Sequence, residues 1–530
     1  MPGAAQPGQI EQPFKREPGP RMTVPLDLPA VPAQLPDQAR QIRFAVQEIV
    51  LEGSETTRPP GADTLLQSLS GQETSLADIY ALAEKLTALY RNQGLVLSRV
   101  LVPEQRITYG RVRLVAVEGY IDDIVIDGAS AQQHSRLQQY ADRIKASRPL
   151  RADVLERYLL LMNDLAGSYA QAILRASPAG MGAANLIIRF SSRRSDASAE
   201  INNRGSKALG PINLVASGSI YSLLTPFDEF RASIAATPND ELQFISAAYD
   251  VPLGFEGLTA GASASVARAH PDVGSTIDIQ TRSASADVHA TYPLLRSRSQ
   301  NLYVHGALAW LDGRTEVNSL PLTKDRVRSL RLGLSYDQTD RWLGINTANF
   351  DVVQGLNIGG ATKSGASDSS RAGTAPDFNK ITLYGARLQS LGQRVDLLAA
   401  VSGQYSHSKL LPSEQFGFGG ATFGRVYDAS ELLGDSGAAL KFELRYAGTS
   451  AGTTLRAYTI YGFYELGTVW RHDPINQKSR ESAADAGLGV RFNLLQNLSG
   501  YVELATPLTR DVNAYNDRRT RGFAALRWTF

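Results

Sequence analysis

Six histidines, His134, His270, His289, His305, His407 and His472, are the first residues to test for chemistry. Imidazole is the commonest metal ligand and the side chain that titrates nearest neutrality. These six are scattered, with no metal-binding spacing between them. The adjacent carboxylates Asp122 and Asp123 fall on a predicted strand, where neighbouring side chains point to opposite faces, so they cannot work as one acid–base pair. Gly417, Gly419 and Gly420 form a glycine cluster, but no strand of a βαβ unit precedes it, and a phosphate-cradling loop is not expected. Cysteine is absent, which removes disulfides, thiolate metal sites and a cysteine nucleophile. Trp310, Trp342, Trp470 and Trp528 could stack on a sugar, but a membrane-interface girdle accounts for them more simply. The residues therefore point to a non-enzyme that needs neither metal nor cofactor.

The elements that must position these residues show best at the end of the chain. From Arg521 to Phe530 the sequence alternates, with Ala524, Leu526, Trp528 and Phe530 on one face. Such a face needs an apolar partner. In a bacterial outer-membrane β-barrel lipid supplies it, with Trp or Phe at the interface. No apolar run is long enough for a transmembrane helix. The 21 tyrosines and 46 glycines suit a weakly hydrophobic barrel. A net charge of +2 argues against nucleic acid as a partner. Met1-Pro2-Gly3-Ala4-Ala5 lacks the basic start and apolar core of a signal peptide, so the expectation is a mature sequence with the leader removed or replaced.

Residues 1–39 are Pro- and Gly-rich and read as a linker with one short helix near Gln9–Lys15. From Ile42 a periodic pattern begins. Phe44, Val46, Ile49 and Leu51 mark a strand running to Gly53, and Leu65, Leu66 and Leu69 a short helix. Ser75 is placed to cap a longer helix carrying Leu76, Ile79, Leu82, Ala83, Leu86 and Tyr90. Gly94 stops that helix, and strands Leu95–Val102 and Arg111–Glu118 follow. The β-α-α-β-β order then repeats: strand Ile121–Ile126, helices Gln132–Ile144 and Asp153–Leu165, strands Tyr169–Ala176 and Asn185–Phe190. Residues 40–118 and 119–192 are thus two α+β modules.

Beyond about residue 193 the helical period disappears. Leu330, Leu332, Leu334 and Tyr336 alternate with Arg331, Gly333, Ser335 and Asp337. Leu440, Phe442, Leu444 and Tyr446 alternate with Lys441, Glu443 and Arg445, and Leu488, Val490, Phe492 and Leu494 with Gly489, Arg491 and Asn493. Charges on one face opposite large apolar groups fit a lipid-facing antiparallel barrel with a polar lumen. At roughly 20 residues per strand and connection, residues 193–530 hold about 16 strands. The Ser/Gly/Ala/Asp-rich stretch Lys363–Asp377 is expected to be a long, mobile surface loop.

This layout resembles the two-partner secretion transporters (TpsB type, similar to FhaC and ShlB), and the resemblance covers essentially the full chain. Three local matches carry it. Tyr90-Arg91-Asn92-Gln93-Gly94, then Val102-Pro103-Glu104-Gln105, Gly110 and Val117-Glu118-Gly119, resemble the family's exit from the first POTRA module. Phe416-Gly417-Phe418-Gly419-Gly420, through Phe423-Gly424-Arg425-Val426-Tyr427-Asp428, to Gly434-Asp435-Ser436-Gly437, resembles its sixth extracellular loop, which folds back into the lumen. Phe463-Tyr464-Glu465-Leu466-Gly467 resembles the wall strand whose acid partners the loop arginine. Val426 stands where the family typically has Gly, which puts the geometry of the tip turn in question. Glu465 stands where it typically has Asp and keeps the charge with one more methylene.

The resemblance implies a lumen ion pair between Arg425 and Glu465, with Tyr427 and Asp428 at the tip and Gly419, Gly420, Gly424, Gly434, Asp435 and Gly437 shaping the loop. A segment near Gln9-Ile10-Glu11-Gln12 could occupy the lumen as a plug. Leu86, Tyr90, Leu95, Leu97 and Val100 are expected to line a helix–strand groove in the first module that accepts an extended polypeptide. The implied function is export of an unfolded exoprotein, a large β-helical adhesin or cytolysin, from the periplasm to the cell surface. Outer-membrane lipid and the barrel assembly machinery are the other implied partners, and the transporter is expected to act as a monomer. The terminal residues Leu526, Trp528 and Phe530 would be the signal for barrel assembly. One rival reading is a BamA-like insertase, for which two modules are few. The other is a passive porin, which needs no modules at all.

Overall fold

The computed structural model describes residues 2–14, 38–53, 58–274, 277–450, 452, 454–472, 474 and 478–530. Two compact units emerge, one ending at Ser192 and one made of Arg193–Phe530 together with the N-terminal segment.

In the first unit, the apolar residues expected to mark one strand form two. β1 (Arg43–Val46) pairs antiparallel with β3 (Gln72–Ser75), and β2 (Glu48–Glu52) pairs parallel with β5 (Arg111–Val117). The break falls at Gln47, where the Gln47 and Glu48 amides both donate to the Gly110 carbonyl, at 2.8 and 3.3 Å. Gly110 has φ +70°, and a Cβ there would lie 2.8 Å from the Ala45 carbonyl, so the site requires glycine. α1 (Ala62–Gln67) and α2 (Leu76–Asn92) cover the sheet, which β4 (Arg99–Leu101) completes in the order β2-β5-β4. Ser75 and Asp78 form a reciprocal cap: the Asp78 amide donates to Ser75 Oγ at 3.2 Å and the Ser75 amide to Asp78 Oδ2 at 3.0 Å.

The second module repeats the plan with β6 (Tyr120–Asp127), α3 (Ala131–Lys145), α4 (Ala152–Asp164), β7 (Ser168–Ala176) and β8 (Ala183–Ser192), in sheet order β6-β8-β7. The expected groove in the first module is a correction. Leu86, Tyr90, Leu95 and Val100 lie inside the closed core with Ile79, Leu82 and Leu114, and only Leu97 stays half-buried. Helical apolar spacing marks a face that must be covered, and here the module's own sheet covers it. The strand expected over Leu95–Val102 is correspondingly short.

The second unit is a closed barrel of sixteen antiparallel strands, from Ser195–Asn202 to Arg521–Thr529. Leu332, Phe442, Leu444 and Leu488 are exposed on its outside, whereas Lys441, Glu443, Glu465 and Glu503 are buried on the inside. Leu526, Trp528 and Phe530 are likewise exposed on the outer face. The last strand closes the ring over five register pairs, from Ala525 opposite Asn202 to Thr529 opposite Ser198. The Phe530 amide adds a hydrogen bond to the Ala197 carbonyl at 2.8 Å. No described helix is long and apolar enough to cross a membrane, so crossing falls to these strands.

The stretch Lys363–Asp377 also departs from expectation, being held rather than free. Arg371 pairs with the fully buried Asp435, the Ser370 amide donates to Asp325 Oδ1 at 3.0 Å, and Thr374 is buried. Asp435 further accepts from the Leu410 amide at 2.8 Å and the His472 amide at 2.7 Å, so one carboxylate joins three connections.

Candidate functional site

Between the strands Val395–Tyr405 and Ser436–Thr449 the chain turns back into the barrel as a hairpin, Phe416–Phe418 against Leu432–Gly434. Its tip is tight because glycines take conformations that other residues avoid: φ is +118° at Gly419, +104° at Gly420 and +77° at Gly424. Across the tip the Gly419 amide donates to the Phe423 carbonyl and the Gly420 amide to the Tyr427 carbonyl, each at 3.1 Å. Val426, in the place where a glycine was expected, keeps a negative φ and buries its side chain among Phe418, Phe423 and Tyr427. Gly437 and Gly467 leave room for rings, since a Cβ on either would lie 2.1 Å from Phe416 or Phe418 respectively. A Cβ on Gly434 would press on the Trp470 carbonyl at 2.8 Å.

The Arg425 guanidinium, 4% exposed, meets three carboxylates on the inner wall. Its Nη2 lies 2.5 Å from Glu443 Oε2, its Nη1 2.8 Å from Glu503 Oε2 and its Nε 2.9 Å from Glu465 Oε1. The last approach is off the N–H axis, so it is a charge contact and not an aligned hydrogen bond. Glu465 instead spends Oε2 on the tip backbone, accepting from the Gly424 amide at 2.6 Å and the Arg425 amide at 3.1 Å. The ring of Phe463 lies 4.1 Å from the guanidinium carbon. The Val426 amide reaches Asp485 Oδ2 at 3.3 Å, and the Tyr427 hydroxyl donates to the Ala484 carbonyl at 3.0 Å. Asp428 is half-buried beside Lys207.

The expected pair of Arg425 and Glu465 is therefore one edge of a larger network. Glu443 is shared with Arg445 at 2.7 Å and Arg491 at 2.8 Å. Glu503 is shared with Arg204, whose Nε donates to the Tyr501 hydroxyl at 3.0 Å and whose Nη1 donates to the Arg425 carbonyl at 2.9 Å. Sequence reasoning named neither Glu503 nor Arg204, and noted Glu443 only as part of a polar face. The usable signal was periodic: Glu443, Glu465, Asp485 and Glu503 all occupy the inward positions of four successive strands. Charge is nearly balanced, which is what permits such burial.

A second segment fills the lumen. Residues 2–14 run through it as short 3₁₀ turns at Gly3–Ala5 and Gln12–Phe14 rather than the single helix expected near Gln9–Lys15, whose last residue lies outside the described residues. The fully buried Glu11 accepts from Ser283 Oγ at 2.8 Å and from Ser265 and Ser285 Oγ at 3.0 Å. Gln9 donates to the Pro412 carbonyl at 2.7 Å and accepts from Ser430 Oγ, on the hairpin, at 2.7 Å. The Phe14 ring stacks on Phe244 with centroids 5.0 Å apart. The hairpin and residues 2–14 thus both sit inside the barrel, joined to each other through Gln9 and Ser430.

Comparison with known proteins agrees with this architecture. The family described as haemolysin secretion/activation protein ShlB/FhaC/HecB matches residues 185–492, and the ShlB-type POTRA domain matches residues 44–119. The heme/hemopexin transporter protein HuxB of Haemophilus influenzae is 21% identical over 475 residues, covering 85% of this chain and 80% of its own. The outer membrane transporter CdiB of Dickeya dadantii is 24% identical over 416 residues, covering 76% and 72%. Among solved structures, CdiB from Escherichia coli matches with a TM-score of 0.75 at 17% identity, over 96% of this chain and 94% of that one. BamA from Haemophilus ducreyi lacking POTRA domains 1–3 matches with a TM-score of 0.53 at 11% identity, over 92% and 100%.

Proposed function

This chain belongs to the ShlB/FhaC/HecB family of haemolysin secretion/activation proteins, and from that premise we propose how it moves its cargo. It is an outer-membrane transporter of the two-partner secretion type, built to export an exoprotein. The partner arrives unfolded in the periplasm and is received by the two modules. Because the apolar face of the first is closed, reception uses backbone edges: β4 and β7 are edge strands of their sheets, and an extended chain adds to such an edge through main-chain hydrogen bonds. The hairpin carrying Arg425 and the segment 2–14 then leave the lumen and the partner threads outward. Folding of the partner outside biases the movement, with no nucleotide needed. The family is described by haemolysin secretion, which supports a secreted protein as cargo; HuxB is named a heme/hemopexin transporter and CdiB an outer membrane transporter. By family analogy that cargo is a β-helical adhesin or cytolysin. The transporter works as a monomer in outer-membrane lipid, after insertion by the barrel assembly machinery.

The observation that carries this reading is the Arg425 contact. Three wall carboxylates hold the hairpin tip, and breaking those contacts breaks no strand pairing of the wall. Arg425→Ala should lower release of a co-expressed partner from cells while the amount of inserted barrel stays normal. If the co-expressed partner stays periplasmic but other outer-membrane barrels lose assembly when this protein is depleted, the export reading fails and an insertase stands.

A further inference from the structure

The outer face of the barrel carries a basic row away from the lumen contacts of Arg425 and Glu11. On the strands Leu258–Ala269, Ile279–Arg296, Gln300–Val317 and Leu320–Thr339, the register sets Arg268 opposite Arg282, Arg282 opposite Arg314 and Arg314 opposite Lys324. All four side chains are exposed. They share the lipid-facing side with Val266, Val288 and Leu332, while the alternate residues Ser283 and Ser285 face inward onto Glu11. Like charges directly opposite one another on a sheet repel. Four in succession across four strands concentrate positive charge that an anion over them would relieve.

The row is only partly neutralised from within. Arg314 Nε has Glu316 at 2.8 Å, but no side-chain hydrogen bond or ion pair satisfies Arg268, Arg282 or Lys324 among the described residues. Asp312, on the same face, is held by Arg328 at 2.7 Å. Val266, Asp312 and the four cations line one shallow outward depression.

Its height is also informative. Lipid-facing positions on Gln300–Val317 read Leu302, Val304, Gly306, Leu308 and Trp310 before Asp312 and Arg314. A tilted strand needs about 9–11 residues to cross the hydrocarbon, so the basic row falls just past it, level with head groups. It lies at the barrel end away from Ser195, where the chain enters the wall. On the export reading above, on which this step rests, that end faces outward.

We propose that Arg268, Arg282, Arg314 and Lys324 bind the phosphate groups of lipid A, the phosphorylated glycolipid anchor of lipopolysaccharide in the outer leaflet. Guanidinium groups present paired donors to phosphate oxygens, and acyl chains would lie along the apolar band below. Free phosphate offers the same oxygens but no acyl chain.

The test uses the full chain purified in detergent and exposed to diphosphorylated lipid A, dephosphorylated lipid A or inorganic phosphate. Retained lipid per chain and the thermal midpoint are read. Diphosphorylated lipid A should be retained and should raise the midpoint, with affinity falling about fivefold for each charge removed toward R268Q/R282Q/R314Q/K324Q. R268K/R282K/R314K should keep most of the binding. Equal retention by the glutamine form, or equal retention of dephosphorylated lipid, overturns the site. An equal midpoint rise with inorganic phosphate alone overturns the lipid assignment. Removing like charges should not harm assembly; if the fourfold variant fails to insert, R268Q/K324Q is measured instead, with the same two readings of loss or retention. Leu320→Cys, beside the row in a chain without cysteine, reports orientation through an impermeant maleimide on intact cells. A folded chain that does not label refutes the outward placement and the proposal with it. Labelling without lipid A retention refutes the site and leaves the export reading standing.

Discussion

Glu465 holds the hairpin tip by charge and by accepting two backbone amides, and substitutions can separate these roles. Glu465→Gln keeps an acceptor for Gly424 and Arg425 while removing the charge; Glu465→Ala removes both. Hydrogen bonds to a charged group contribute about 1.5–3 kcal/mol each, so the alanine form should expose the tip to limited proteolysis much more than the glutamine form. Arg204 shares Glu503 with Arg425 and also binds the Arg425 carbonyl. The two arginines should therefore be non-additive. In a double-mutant cycle of R204A and R425A, read as tip cleavage rate, a coupling of about 0.5–3 kcal/mol is expected. Additive effects would mean that the two cations act separately.

Among the elements, α2 depends on its cap. Ser75→Ala should destabilise the first module by roughly 1 kcal/mol, measured by thermal or urea unfolding followed by circular dichroism. The hydrogen bond from the Ser75 hydroxyl, then that from its amide, holds the Asp78 carboxyl below its ordinary value of 3.8. A depressed folded pKa stabilises above the unfolded value, so this contribution is present above pH 3.8 and lost as pH falls through the folded value. Asp78→Asn should thus cost stability near neutrality and cost less in acid. The cap was legible because Ser75 stands directly before a helical apolar period. Whether that apolar face met a partner or the module's own sheet was not legible, since both demand the same spacing at Leu86, Tyr90 and Val100. The composition of Lys363–Asp377 suggested mobility for a similar reason. Its restraint is the pair of Arg371 with Asp435, 64 residues apart, which no local pattern records.

For the whole molecule, the two-residue period after residue 193 and simple length arithmetic gave the barrel and its strand number. The convergence of Glu443, Glu465, Asp485 and Glu503 on one tip needed strand register, which sequence spacing does not supply. The lumen itself invites a prediction: Glu11→Ala leaves three serine hydroxyls without their shared acceptor and should loosen residues 2–14. Planar-bilayer recordings should then show larger or more frequent openings than the unaltered chain; unchanged conductance would mean that the hairpin alone closes the pore. The closing seam has a further consequence, in time rather than in space. Residues 198–202 pair with 525–529, so the wall's first strand must wait, its edge open, until its last strand has been made and delivered. Until then the sheet has two free edges, the state most prone to wrong pairing. Closure of this barrel therefore waits on its last strand, and a chain without that strand would lack the seam that residues 198–202 make.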